Sequence, residues 1–82
     1  MKNRLQIKDR TPGTYTIDPD GVPIDLLLDK WEPGMSFFVP CFDQVEAKRQ
    51  IQLASRAAGA KRTVFEDRVE GGLAGLRCWR WR

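Results

Sequence analysis

The sequence predicts a small α+β domain, a three-stranded antiparallel sheet carrying one helix. Three observations lead there. Residues 43–58 repeat apolar side chains at helical spacing, between a capping aspartate and a glycine stop. Residues 35–40, 63–69 and 73–81 are rich in β-branched and aromatic residues, which favour strands. The stretch before them alternates short extended pieces with strong turn signals. At 82 residues the chain makes one domain with a modest core. It reads as an N-terminal β-rich segment, 1–34, followed by a β-α-β-β unit, 35–82.

Each element has a local reason. Leu5-Gln6-Ile7-Lys8 alternates apolar and polar, as a short strand does. Thr11-Pro12-Gly13 is a turn signal, and Thr14-Tyr15-Thr16-Ile17 is a strand. Asp18-Pro19-Asp20-Gly21 superficially resembles the start of a calcium loop. The remaining ligands are missing, above all the glutamate at the twelfth loop position, so it reads as a turn. Val22-Pro23-Ile24 returns as an extended piece that Pro23 restricts to an edge or a bulge. Asp25 to Trp31 is either one helical turn or a buried extended run, since periodicity cannot decide for so few residues. Glu32-Pro33-Gly34 ends it, and Met35 to Pro40 is a strand.

Asp43 can cap the helix, with Glu46 as the reciprocal partner of a capping box. Ala47, Ile51, Ala54 and Ala58 form the apolar stripe, broadened by Val45, Leu53 and Ala57. Gly59 is the stop. Thr63 to Val69 is a strand, Glu70-Gly71-Gly72 a hairpin turn, and Leu73 to Trp81 the return, with Gly75 as a bulge. The helix covers one sheet face. Leu5, Ile7, Tyr15, Ile17 and Leu26 to Leu28 are expected to pack on the other face or to extend the sheet.

Composition narrows the classes of function. Apolar content of 41% with 30% charge argues for a folded globule. No apolar run reaches the roughly 20 residues needed to span a bilayer, so no membrane is expected. Met1-Lys2-Asn3-Arg4-Leu5 turns polar at once, without a signal-peptide core, and the expected location is cytoplasmic. There is no histidine, and the only cysteines are Cys41 and Cys78. A zinc site within one chain is therefore excluded in practice. A Cys41–Cys78 disulfide is conceivable if their strands neighbour, but two buried thiols suit a reducing cytosol better. Cys41 lies near the helix N-terminus, where the dipole can lower a thiol pKa, yet no histidine stands ready as a base. Glu66, Asp67 and Glu70 read as solvated hairpin charges. No catalytic residue, metal site or cofactor is expected.

Charge is unevenly spread. Residues 1–40 carry five Lys/Arg against six Asp/Glu, and residues 41–82 carry nine against five. The basic half points to a polyanionic partner, or to a merely solvated surface. Lys48, Arg49, Gln52, Ser55 and Arg56 share the outer helix face, and Lys61 and Arg62 follow it. Arg77-Cys78-Trp79-Arg80-Trp81-Arg82 closes the chain. As a strand it sends Arg77, Trp79 and Trp81 one way, and Cys78, Arg80 and Arg82 the other. The two tryptophans are either a base-stacking surface or core covered by the N-terminal segment. The expected nucleic-acid-binding set is Lys48, Arg49, Arg56, Lys61, Arg62, Arg77, Arg80 and Trp81, joined in one cationic surface.

Gly34-Met35-Ser36-Phe37-Phe38-Val39-Pro40, a short helix, and Gly75-Leu76-Arg77-Cys78-Trp79-Arg80 together resemble a group of small phage and prophage proteins. Ser36 to Pro40, Arg77, Trp79 and Arg80 fit their pattern. Met35 stands where an acid is usual, and Cys78 where valine is usual. The resemblance covers about half the chain. It implies phage origin and the β-α-β-β unit, and transfers no activity. The expected function is a phage-encoded nucleic-acid-binding accessory protein. The alternative is an effector that inhibits or redirects a host protein or defence complex. A homodimer through the N-terminal or C-terminal strand is a third expectation.

Overall fold

The computed structural model describes residues 13–82, so the expected strand at Leu5 to Lys8 lies outside the described residues. The chain runs β1 (Thr14–Ile17), β2 (Ile24–Leu27), β3 (Ser36–Pro40), α1 (Gln44–Ala57), β4 (Thr63–Glu70) and β5 (Leu73–Arg80). The fold is α+β. β1 and β2 form a separate antiparallel hairpin, and the second sheet has the order β3-β5-β4. Asp25 to Trp31 opens as strand β2, which settles its two readings for Ile24–Leu27. Gly71 and Gly72 both take positive φ, as a two-residue hairpin turn requires.

β5 is central. Phe37 and Phe65 flank Cys78, and Val39 flanks Leu76. Leu76 and Cys78 are buried towards α1, and side-chain alternation sends Arg77 and Trp79 to the opposite face. Both edges of β5 are filled, which closes the C-terminal strand as a route to pairing two copies.

Helix and hairpin share one side of this sheet. Ile17, Leu26, Leu28 and Trp31 join Val39, Ala47, Ile51, Leu76 and Cys78 in a single buried cluster. The hairpin therefore neither covers the far face nor extends the sheet. The physical reason is the far face itself, which carries Ser36, Glu66, Arg68, Glu70 and Arg77. Covering it with leucines would bury charges. α1 lies over β4 and β5, while the Trp31 ring meets Phe37 of β3 at 5.1 Å between centroids.

Polar ties fix the hairpin to the helix. The Asp20 carboxylate accepts from the Phe42 and Asp43 amides, both at 2.9 Å. Asp43 in turn accepts from the Glu46 amide at 3.0 Å, as an N-cap should. The reciprocal half of the expected capping box is absent. Glu46 turns instead to Arg49 and Gln50, and Asp20 takes the amide that Glu46 would have bound. Gln50 also accepts from the Asp18 amide at 2.6 Å.

Other expectations are corrected. Val45, Leu53 and Ala57 do not broaden the core stripe; they are exposed, Val45 to 84%. Ser55 is not on the outer face. It stands one turn after Ile51, on the same side, and is buried. Gly75 is not a bulge, because its pairing with Pro40 and Arg68 is continuous. It is a close-approach glycine: a Cβ there would sit 2.3 Å from the Val39 carbonyl oxygen.

Candidate nucleic-acid interface

The sheet face opposite α1 is built on the register of β5. Ser36 and Val64 flank Trp79, and Phe38 and Glu66 flank Arg77. Arg77 forms a fork on Glu70, with Nε and Nη2 each donating at 2.7 Å, and its Nη1 donates to Ser36 Oγ at 2.7 Å. Hydrogen bonds from Arg77 hold the Glu70 carboxyl below its usual range. Arg68 reaches Glu66 at 3.6 Å and Glu70 at 3.4 Å, and lies over the Trp79 ring at 5.8 Å. Two arginines thus meet two glutamates, and the middle of this face is charge-balanced.

The end of the sheet differs. Ladder bonds continue past β4 and β5: the Trp81 amide donates to the Arg62 carbonyl at 2.8 Å, and the Lys61 amide to the Arg82 carbonyl at 2.8 Å. These bonds hold Lys61, Arg62, Trp81 and Arg82 side by side. Gly34, Val64, Trp79, Arg80 and Trp81 line an open recess of about 420 Å³ there. Trp81 is 60% exposed. Trp79 is half-buried, so neither tryptophan is core under the hairpin. A second recess, of about 210 Å³, lies where the helix end meets the start of β4, and Arg56, Lys61 and Arg62 are among its lining residues. Among the described residues these three cations form no ion pair with a carboxylate.

The expected cationic surface is therefore divided. Arg56, Lys61, Arg62 and Trp81 come together at one end. Arg49 is paired with Glu46 at 2.5 Å, and with Gln50 it draws the Glu46 carboxyl down to about 2. Arg77 is held by Glu70. Arg80 is a structural strap on the helix side: its guanidinium donates to the Trp31 and Gly59 carbonyls and lies over the Trp31 ring at 6.0 Å. Lys48 reaches over the Phe65 ring at 5.6 Å, between helix and β4. The charged groups of these four are engaged elsewhere for a common reason. Each has a carboxylate, carbonyl or ring within reach of its own backbone position. Sequence reasoning missed Val64 and Arg82. The pairing of Val64 with Trp79 and of 61–62 with 81–82 brings them in, and no local signal encodes it.

Both cysteines are buried and free. Burial, reinforced by Asp20, Asp43 and Asp67, raises the Cys41 thiol, which corrects the expectation of a dipole-lowered pKa. Burial alone pushes Cys78 to about 12. Among the described residues, no group of three or more Cys, Asp or Glu could hold a metal ion, and no helix is long and apolar enough to cross a membrane. No protein-family model, curated protein or solved structure matches this chain.

Proposed function

We propose that this chain is a phage-encoded accessory protein that binds single-stranded nucleic acid in the host cytoplasm. The observation that carries the reading is the aromatic recess of Val64, Trp79 and Trp81 beside Arg56, Lys61 and Arg62, which form no ion pair among the described residues. An exposed indole gives an unpaired base a stacking platform, and neighbouring cations meet its phosphates. A duplex keeps its bases stacked on one another, so the recess favours single strands. Binding through stacking and charge is weakly sequence-selective. The phage origin rests on the resemblance of Ser36 to Pro40 and of Arg77 to Arg80.

Fluorescence anisotropy with single-stranded and duplex DNA and RNA, at low and moderate salt, tests the reading. Trp81→Ala should weaken single-strand binding roughly 5- to 150-fold, the ~1–3 kcal/mol of one stacked base. It should leave the melting temperature unchanged, since the side chain is exposed. No binding to any probe even at low salt removes the proposal.

One observation favours the second reading, an effector that docks on a host protein. At the opposite end of the sheet, Phe42 is 92% exposed, with Val45 and Leu73 also exposed. Large apolar side chains in the open mark protein contacts. A host protein retained from lysate after nuclease treatment, and lost on Phe42→Ser, supports that reading.

A further inference from the structure

We infer that the recess between the last turn of α1 and the start of β4 is a subsite for a phosphate group, one phosphodiester of the bound strand. The inference rests on the single-strand reading and names the group its cations hold. Gln52, Ser55, Arg56, Lys61, Arg62 and Thr63 line the recess. Its volume of about 210 Å³ is below the range of roughly 300–1,000 Å³ typical of pockets for organic ligands, which favours a small anion. Three of its side chains are cationic and none is acidic.

The second observation is independent of charge. Ser55 is 1% exposed, and its Oγ is buried without a hydrogen-bond partner among the described residues. A buried hydroxyl without a partner is costly, and natural structures rarely leave one so. Ser55 lines the recess, and turning its χ1 brings Oγ to a phosphate oxygen there, which supplies the missing acceptor. The Gln52 amide and the Thr63 hydroxyl add neutral donors.

The helix end opposes an anion with about half a negative charge, spread over its last carbonyls. Three of those carbonyls are already engaged. Ala54 accepts from the Ala58 amide, Ser55 from Ala60 and Arg56 from Gly59, at 2.9 to 3.0 Å. Three full positive charges outweigh what is left. The recess also connects to the aromatic site. The Arg62 carbonyl, at the rim of one, holds the Trp81 amide, at the rim of the other. A strand rounding this end of the sheet can stack a base on Trp81 and seat the adjoining phosphate by Arg56 and Lys61.

Two measurements on the full chain test the subsite. Inorganic phosphate is titrated into isotope-labelled protein at constant ionic strength. Amide shifts should concentrate in residues 52–63, vanish in the Arg56→Gln/Lys61→Gln double variant and weaken in Ser55→Ala. Single-strand affinity is then followed against salt. Losing that one phosphate contact should flatten the slope of log K against log salt by about 0.7, so the wild-type advantage falls about 2.6-fold between about 50 and 200 mM salt. Absent phosphate shifts, with an unchanged salt slope, overturn the subsite. If Trp81→Ala still weakens binding in that case, the single-strand reading survives alone. Phosphate shifts without binding of any strand do the reverse: the subsite stands and the nucleic-acid reading falls.

Discussion

Replacing Gly75 with alanine should force β3 and β5 apart. The added Cβ would lie 2.3 Å from the Val39 carbonyl oxygen, 2.7 Å from Phe38 Cζ and 2.8 Å from Pro40 Cα. Two of these are backbone atoms, so no rotamer change relieves them. Gly75 has no positive φ, and the cost is therefore steric rather than conformational. Overpacking of this kind costs about 1–3 kcal/mol. The displacement also strains two bonds beside it, Cys41 amide to Ala74 carbonyl and Gln44 side chain to Gly75 carbonyl, both 3.1 Å, at about 1 kcal/mol each. Reduced entropy of the unfolded chain returns about 0.4–1 kcal/mol. The net loss is about 2–4.6 kcal/mol, out of a total of roughly 4–12 for a domain of this size. At ~4–8 °C per kcal/mol, the thermal midpoint followed by circular dichroism should fall by roughly 8–37 °C. A midpoint within about 4 °C of wild type would falsify the close approach of the two strands.

Three further outcomes follow from single groups. Asp20→Ala should cost about 1–2 kcal/mol in urea denaturation, because the Phe42 and Asp43 amides lose their acceptor; Asp20→Asn should recover part of it, and equal losses in the two variants would count against a capping role. Cys78 releases its proton at about 12 in the folded chain against 9.0 normally, so the folded state holds the extra proton and stability should fall by about 1.4 kcal/mol per pH unit as pH rises through that window. Cys78→Ala should remove its part of that slope, leaving the part from the raised Cys41 thiol, and rapid labelling of Cys78 in the native protein at pH 8 would contradict its burial. The Glu46 carboxyl should titrate near pH 2 by NMR, its contribution present above the ordinary 4.5 and lost as pH falls towards 2. Arg49→Gln should raise that midpoint, and an unmoved midpoint would assign the shift elsewhere.

Local elements were legible in the sequence because a few neighbouring residues decide them. Asp43, the Ala47-Ile51-Ala54 stripe and Gly59 mark a helix that spans Gln44–Ala57. Gly71-Gly72 joins two eight-residue strands because only such residues take positive φ in succession at low cost. Alternation correctly sent Leu76 and Cys78 to one side and Arg77 and Trp79 to the other. The membership of the candidate site was only half legible. Arg56, Lys61, Arg62 and Trp81 cluster, whereas Arg49, Arg77 and Arg80 are committed to partners that no spacing rule reveals.

Tertiary structure decided the strand order, the side on which the hairpin packs and the fate of each charge. These depend on contacts between residues far apart in the chain. Arg77 meets Ser36 across 41 positions, and Arg80 meets Trp31 across 49. A single sequence records which side chains want burial or a partner. It does not record which distant surface supplies one, because several arrangements satisfy the same local preferences and only close packing selects among them.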